Sequence, residues 1–123
     1  MRQTVHPARP LSGVAVLPGD KSISHRYAML SGLAEGPSKI RNYSTGADCQ
    51  STLGCLESLG IKVEKEGATV TLHGKGMSGW QAPQQALDAG NSGSTIRMMS
   101  GLLAAQAFVT SKHFAERSSS KCH

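Results

Sequence analysis

The chain has 123 residues, of which 38% are hydrophobic and 4% aromatic, so it can form one small domain with an aliphatic core. Its formal charge of +5 suits acidic ligands. Its basic residues are scattered among few aromatics, which argues against nucleic acid as a partner, and no apolar stretch approaches the ~18–20 residues that span a membrane. Its three cysteines include no C-x-x-C pair, which argues against a disulfide framework or a zinc knuckle and predicts reduced thiols in a cytoplasmic protein.

The first part of the chain predicts a strand, a helix and a second strand. Residues 1–10 contain two prolines and predict a loose lead-in, and the apolar run within 12–18 predicts a short strand. A helix is predicted over 22–34, ending before Gly36-Pro37, and the alternation over 38–43 predicts the second strand. The apolar residues of this helix recur at helical spacing: Ile23, Tyr27, Leu30, Leu33 and Ala34.

A second helix and a hairpin follow. The helix begins in Thr45–Asp48 and runs to about Leu59, and Gly60 ends it. Residues 61–66 and 68–73 alternate apolar and polar side chains around a glycine, which predicts two paired strands. The apolar stripe of the helix consists of Cys49, Leu53, Leu56 and Leu59.

Residues 74–111 are predicted to form one more helix between short strands. Residues 74–83 form a glycine-rich connection that carries Trp80, and 86–88 predict a short strand. A helix is predicted over 94–106 and a strand over 107–111. One face of this helix presents Ile96, Met99 and Leu103.

The first candidate site is the start of the helix predicted over 22–34. Asp20, Ser22 and Ser24 can each cap a helix. Lys21 and Arg26 then lie where free backbone N–H groups point outward, so cations and hydroxyls surround a natural anion site. The hypothesis is a phosphate or carboxylate ligand; the alternative is an ordinary capped helix with solvated basic residues.

The second candidate site is the stretch Gly90–Arg97. Its glycines allow the backbone to approach a ligand closely, and N–H groups at a helix start can hold an anion. Asn91 and Ser94 add side chains that form hydrogen bonds. The alternative is a glycine-rich turn that only caps the following helix.

The two candidate sites share a weak internal repetition at an offset of 70 residues. Both copies predict a short strand, a small polar loop and a helix with an arginine in its first turns, which is a pattern of stacked units. Arg26 corresponds to Arg97, one place later than the offset. Leu17, Ser22, Ser24, Met29, Leu33 and Ala34 recur as Leu87, Ser92, Ser94, Met99, Leu103 and Ala104.

Three other patterns do not predict a site. Residues 74–79 fit G-x-G-x-x-G, but no long helix follows and no acidic residue lies about 20 residues further on, as dinucleotide binding requires. The five histidines lack the spacing of metal ligands. Cys49 and Cys55 are six residues apart and do not share a helix face.

Two motifs together resemble a known family. Pro-Gly-Asp-Lys-Ser-Ile-Ser-His-Arg over 18–26 and Gly-Asn-Ser-Gly-Ser-Thr-Ile-Arg over 90–97 are similar to the N-terminal motifs of 5-enolpyruvylshikimate-3-phosphate synthases (3-phosphoshikimate 1-carboxyvinyltransferases). The likeness covers roughly residues 9–111. It implies a shikimate-pathway transferase of aromatic amino acid biosynthesis. Such an enzyme moves the enolpyruvyl group of phosphoenolpyruvate to shikimate 3-phosphate and releases phosphate, without a cofactor.

The resemblance also implies the site. The substrate-binding residues would be Lys21, Ser22, Arg26, Asn91, Gly93 and Ser94. The first three would hold shikimate 3-phosphate, the others would contact phosphoenolpyruvate, and the lysine would reach both substrates. Ser94 stands where the family commonly has threonine, so the hydroxyl is kept. No metal is expected. No catalytic residue is expected within this chain either, because Asp20, Asp48 and Asp88 are interpreted as caps or turn residues.

The implied architecture is the α/β enolpyruvyl transferase fold, built from repeated strand–helix–strand–helix–strand–strand units and incomplete here. Residues 1–19 would be a lead-in and a strand of the far domain, 20–83 the first unit and 84–111 the start of the second. Residues 112–123 diverge from the family pattern, and their serine run predicts disorder. The chain would be the N-terminal part of a longer enzyme, inactive alone and able to combine with a complementing C-terminal fragment.

Three alternatives remain open at the level of the sequence. A related transferase acting on UDP-N-acetylglucosamine shares the fold, although the Lys-Ser-Ile-Ser-His-Arg run speaks against it. The chain could instead be a non-catalytic anion-binding fragment, or one half of a split enzyme that needs a partner chain. A small basic nucleic-acid binder would show a salt-dependent gel shift.

Overall fold

The computed structural model describes residues 2–108, 110 and 112–113, and shows three helices with two small sheets. This α/β composition agrees with the class predicted from the sequence. In chain order the elements are α1 (Lys21–Leu33), β1 (Glu35–Ile40), α2 (Ala47–Ser58), β2 (Lys62–Glu66), β3 (Thr69–Lys75), β4 (Leu87–Asp88), α3 (Gly93–Ala104) and β5 (Lys112–His113).

The larger sheet has the strand order β1-β3-β2, with both pairs antiparallel. β2 and β3 form the predicted hairpin, which closes with Glu66 opposite Thr69. Gly67 lies in the turn with a φ of 59°, a conformation that costs glycine little. Val70 and Leu72 of β3 alternate with less buried neighbours and both face the core. The alternation in the sequence therefore predicted this hairpin correctly.

Helix α2 lies at the centre of the hydrophobic core. α1 approaches α2 closely at Gly32, where a built Cβ would lie only 3.1 Å from Cδ2 of Leu56. The indole N–H of Trp80 donates to the carbonyl of Gly32 at 2.8 Å and covers this contact from the connection after β3. The predicted apolar stripe of α2 is fully buried, as its exposed fractions are 0% at each of Cys49, Leu53, Leu56 and Leu59.

Helix α1 has nearly the predicted extent, and the face that it presents to the core is not the one that carries its large apolar residues. Ile23, Tyr27 and Leu30 are 47%, 56% and 60% exposed. Helical spacing identified the helix, but its buried face carries mostly small side chains together with His25 and Met29, and Ile23, Tyr27 and Leu30 remain on the outer side of the described chain. The buried residues of the helix are Ser24, His25, Ala28, Met29, Ser31 and Gly32.

The strand predicted over 12–18 is absent. Val14 and Val16 are 94% and 93% exposed, and these residues pair with no strand in the described part of the chain. An apolar run becomes a strand only when a neighbouring strand takes its backbone hydrogen bonds. The prediction was therefore wrong for this chain on its own.

The strand predicted over 107–111 also differs from the structure. Residues 107, 108 and 110 lie outside any strand. The strand is instead Lys112–His113, which pairs with β4 in parallel, Leu87 opposite Lys112. The tail predicted to be disordered lies, from residue 114 onward, outside the described residues.

Candidate anion-binding site

The turn that begins α1 is capped and anchored. Asp20 is the N-cap, and its Oδ1 accepts a hydrogen bond from the amide three residues further on at 2.8 Å. The Ser24 hydroxyl donates to the carbonyl of Asp20 at 2.6 Å and accepts from the amide of Ser44 at 3.0 Å. Gly19 lies so close to the backbone of Asn42 that a Cβ would collide with it. This anchoring fixes the direction in which the first N–H groups of α1 point.

The three residues predicted to bind at this helix start are all exposed there: Lys21, Ser22 and Arg26. Ser22 and Arg26 are four residues apart and therefore share a helix face. The Lys21 ammonium lies 2.5 Å from a carboxylate oxygen of Asp48, in the first turn of α2. The hydrogen bond and the charge of Asp48 raise the pKa of Lys21. Lys21 is thus a cation held by a neighbouring helix.

The second motif forms the turn that begins α3. Ser92 is the N-cap, and its Oγ accepts from the amide of Thr95 at 3.1 Å. Gly90 takes a φ of 56°, which favours glycine. The Arg97 guanidinium folds back over the helix start, where a Cβ built on Gly93 would lie 2.5 Å from its Nη2. The turn therefore combines free helical N–H groups with a nearby cation.

The structure places the three predicted residues of this motif around the same turn. Asn91 is exposed, and Gly93 and Ser94 are half-buried as the first two residues of α3. Amide groups in the first turn of a helix have no carbonyl partner within the helix. They are available to an anion.

The first turns of all three helices meet around Asp48. Lys21 of α1 pairs with its carboxylate, and the thiol of Cys49 donates to the carbonyl of Lys21 at 3.4 Å. From α3, the Thr95 hydroxyl lies 3.3 Å from the carbonyl oxygen of Asp48, to which it can donate. Each helix start carries the positive end of a helix dipole. The fold thus brings together two motifs that are far apart in sequence and places three helix starts beside the Lys21–Asp48 ion pair.

Buried polar side chains connect the two motifs beneath this surface. His25 Nδ1 lies 2.7 Å from Thr52 Oγ1, and Thr52 Oγ1 lies 2.9 Å from Thr95 Oγ1. Thr95 Oγ1 in turn donates to Ser92 Oγ at 2.7 Å. All four side chains are buried. We refer to His25, Thr52, Thr95 and Ser92 as the polar line.

Asp48 and Thr52 were not predicted from the sequence as parts of the site. Asp48 was interpreted as a cap or turn residue, and Thr52 was given no role. An acidic residue in the first turn of a helix was the available signal for Asp48, but nothing in the spacing indicated its partner Lys21. The contacts of Thr52 reach 27 and 43 residues along the chain, which no local pattern reveals.

The imidazole of His25 is neutral near pH 7. Burial lowers its pKa, the nearby Lys21 charge lowers it further, and the Asp48 carboxylate opposes this by raising it. The unfolded chain takes up this proton near the ordinary histidine pKa of about 6.5. Between that pH and the lower folded pKa, the unfolded state binds more protons than the folded state.

We therefore expect the free energy of unfolding to fall as the pH is lowered below about 6.5. Urea unfolding of the chain at several pH values between 5 and 8 measures this slope. In the control variant His25→Asn, which cannot take up the proton, the slope should be smaller. A wild-type stability that rises as the pH falls through this window would contradict the assignment.

Other titratable groups of the described chain do not form a second reactive site. Cys49 and Cys55 are free and buried, and burial raises the pKa of Cys55 to about 11. Such thiols are poor nucleophiles. The described residues include no cluster of three or more histidines, cysteines and carboxylates able to hold a metal ion. The helices described here are too short or too polar to cross a membrane.

A cavity of about 930 Å³ lies along α2, on the side that faces residues 81–88. Its lining includes Glu57 and Asp88 but no lysine or arginine. An anion would find acidic side chains there and no counter-charge. The starts of α1, α2 and α3 that meet around Asp48, which we call the convergent helix starts, are therefore the better anion site.

Comparison with known proteins identifies one family. The family model described as EPSP synthase (3-phosphoshikimate 1-carboxyvinyltransferase) matches residues 5–112. A 3-phosphoshikimate 1-carboxyvinyltransferase of Solibacter usitatus (strain Ellin6076) is 62% identical over 110 residues, 89% of this chain and 26% of that protein. The corresponding protein of Bacillus cytotoxicus is 51% identical over 94 residues, 76% of this chain and 22% of that protein.

Solved structures agree with these relatives. An EPSP synthase from Acinetobacter baumannii superposes with a TM-score of 0.79 at 40% identity, over 83% of this chain and 23% of that chain. A second structure of an EPSP synthase from the same organism gives a TM-score of 0.80 at 39% identity. The chain spans about a quarter of the length of the curated relatives it matches.

Proposed function

The chain belongs to the EPSP synthase family, and from this premise we propose that it forms the shikimate 3-phosphate side of the active site of a 3-phosphoshikimate 1-carboxyvinyltransferase. The observation that carries the proposal is the meeting of three helix starts around Lys21 and Asp48. Both sequence motifs contribute to this surface. Its free amides and cations suit two phosphorylated substrates.

The phosphate of shikimate 3-phosphate is assigned to the start of α1. Arg26 offers a planar fork of donors for phosphate oxygens, and the Ser22 hydroxyl lies on the same helix face. Lys21 adds a point charge that can turn toward either substrate. Its ion pair with Asp48 keeps it protonated and near the site before a substrate arrives.

Phosphoenolpyruvate is assigned to the turn that begins α3. The amides of Gly93 and Ser94 are free helix-start donors, and Asn91 is exposed beside them. The Arg97 guanidinium near Gly93 supplies a cation. In this arrangement both anions lie against helix starts that Asp48 holds together.

The proposed reaction joins the enolpyruvyl group of phosphoenolpyruvate to the 5-hydroxyl of shikimate 3-phosphate and releases inorganic phosphate. It needs a group that removes the hydroxyl proton and another that protonates the vinyl carbon. The proposal gives this chain the task of holding and orienting the anions, and assigns it no catalytic residue. Asp20 is occupied as a helix cap, and Asp48 is paired with Lys21.

The proposal includes the boundaries of the repeat units along the chain. Residues 20–83 would be a first repeat unit, 84–111 the start of a second, 1–19 a segment of the far domain, and 112–123 a divergent tail. Two similar caps support a repeat, although Asp20 and Ser92 lie 72 residues apart and so do not coincide with the 70-residue offset seen in the sequence. The side chain of Asp20 accepts the amide three residues ahead in α1, and Ser92 does the same in α3.

A complementing C-terminal part is the proposed partner, with no role for nucleic acid or a membrane. The exposed stripe of Ile23, Tyr27 and Leu30 on α1 supports this, since stacked units cover such faces on their neighbours. A cytoplasmic location is also proposed, in keeping with the two free cysteines of the described chain.

A phosphate-release assay tests the proposed function. The chain alone, with both substrates, is expected to release no phosphate above background, because the proposal assigns it no group that transfers a proton. Mixing it with the separately produced C-terminal three quarters of the Solibacter usitatus relative is expected to restore release.

The matched control replaces this chain by its Arg26→Ala variant in the same mixture, where restoration should be lost or strongly reduced. Turnover by the chain alone would contradict the half-site assignment. Failure of the mixture, with folding of both parts confirmed, would contradict the proposed partner.

A further inference from the structure

His25 is the side chain of the first motif that the binding proposal leaves without a task. Its exposed fraction is 0%, and its Nδ1 lies 2.7 Å from the Thr52 hydroxyl. Its other ring nitrogen, Nε2, is buried and has no hydrogen-bond partner among the described residues. A buried imidazole with one bonded and one unbonded nitrogen must place its single proton on one of them.

The two contacts nearest to His25 can carry their protons in either of two directions. In one, His25 Nδ1–H donates to Thr52 and Thr52 to Thr95, so that the Thr95 hydroxyl is free to donate to Ser92. In the other, Thr95 donates to Thr52 and Thr52 to Nδ1, so that the proton of His25 resides on Nε2. The contact between Thr95 and Ser92 favours the first direction, because Thr95 is its donor.

The unbonded Nε2 decides between these directions. In the second it would be a buried N–H without an acceptor, which proteins rarely tolerate. In the first it is a buried, unprotonated nitrogen that lacks a donor, and an unpaired acceptor is less costly than an unpaired N–H. The first direction also lets the Thr95 hydroxyl donate toward Ser92 and the carbonyl of Asp48, and both lie within its reach.

We propose that His25 is a positioning residue: as the Nδ1–H tautomer it orients the hydroxyls of Thr52 and Thr95 and thereby holds the Ser92 turn in the form that binds an anion. This inference rests on the proposed function of that turn. His25 contacts no substrate. It acts through Thr52, which links the first motif to the second.

The order of the contacts explains how the proton of His25 influences the turn that begins α3. Ser92 Oγ accepts from both the amide and the hydroxyl of Thr95, so the rotamers of these two residues depend on each other. Thr95 is in turn oriented by the proton it receives from Thr52. Loss of the donor at His25 leaves Thr52 free to turn its proton away, and the alignment of the first amides of α3 loosens.

The first arm of the test is spectroscopic and needs no ligand. Long-range ¹H–¹⁵N correlation of the ¹⁵N-labelled chain at pH 7.5 reports which ring nitrogen carries the proton. The expected result is Nδ1–H for His25, whereas an exposed histidine in water favours Nε2–H. Observation of the Nε2–H form at His25 would overturn the proposal.

The second arm uses variants and phosphoenolpyruvate itself as the probe. His25→Leu and Thr52→Val are each expected to weaken its binding about 10-fold, the equivalent of one hydrogen bond. His25→Asn, whose amide can donate from near the Nδ1 position, should restore binding to within about 3-fold of wild type. Thr52→Val keeps the side-chain shape and serves if His25→Leu does not fold. Unchanged affinity in a folded Thr52→Val chain would overturn the proposal.

The two proposals fail in different ways. If the wild-type chain binds neither substrate, the binding function is wrong for this chain, and the tautomer of His25 still decides the inference. If the wild-type chain binds phosphoenolpyruvate and His25→Asn fails to rescue what His25→Leu loses, the binding function stands and the positioning role is wrong.

Discussion

Replacing Arg26 by alanine is expected to weaken the binding of shikimate 3-phosphate by about 1.5–3 kcal/mol, or roughly 10- to 150-fold, the range of a charged hydrogen bond. The guanidinium is exposed at the start of α1 and makes no ion pair within the described chain. Its loss should therefore leave the melting temperature nearly unchanged. Isothermal titration with shikimate 3-phosphate measures the change in affinity.

The matched control is Lys62→Ala, which removes the same formal charge from β2. Lys62 is exposed and pairs with Glu64, in a different part of the chain from the convergent helix starts. Its replacement should change the affinity little. Equal weakening by both variants would mean that net charge, rather than the geometry at α1, governs binding.

Replacing Leu56 by alanine is expected to cost about 2–5 kcal/mol of unfolding free energy. Leu56 is fully buried on α2, and its Cδ2 faces the close approach of Gly32 from α1. The substitution removes buried apolar surface and leaves a cavity that the tightly packed helices cannot fill. Urea unfolding followed by circular dichroism gives the difference.

Leu30→Ala is the control for this prediction, because Leu30 lies on the exposed face of α1 with 60% of its surface accessible. A change within about 0.5 kcal/mol is expected, as for most surface substitutions. A larger loss at Leu30 than at Leu56 would show that the outer face of α1 is packed in solution, contrary to the structure.

Local patterns predicted the elements whose partners lie nearby in sequence. The hairpin around Gly67 and the buried stripe of α2 needed only alternation and helical spacing. The start of α3 was predicted near Ser94, after the glycine-rich turn, and lies at Gly93. In each case the contacts that stabilise the element involve residues close along the chain or one continuous face.

The patterns failed where the partner is distant. Periodicity located α1 from the spacing of Ile23, Tyr27 and Leu30, but it cannot show which face of the helix a second helix will cover. The run over 12–18 has the composition of a strand but no partner in the described chain. Register and pairing are tertiary properties, and composition does not encode them.

Some residues of the candidate site were predicted from the sequence and others were not, for the same reason. The order of residues in the two motifs indicated Lys21, Arg26 and the turn around Gly93, and the fold brings these helix starts together. The ion pair of Lys21 with Asp48 and the role of Thr52 depended on how three helices meet. Their roles in binding remain predictions until a ligand is titrated.

Titration of the ¹⁵N-labelled chain with shikimate 3-phosphate and then phosphoenolpyruvate tests the central claim most directly. The claim is that the two motifs form one anion-binding surface at the convergent helix starts. The first ligand is expected to move the amide signals of residues 21–26 before others, and the second those of residues 90–97. Shifts confined to α2, or to residues 114–123, with both motifs unmoved, would contradict it.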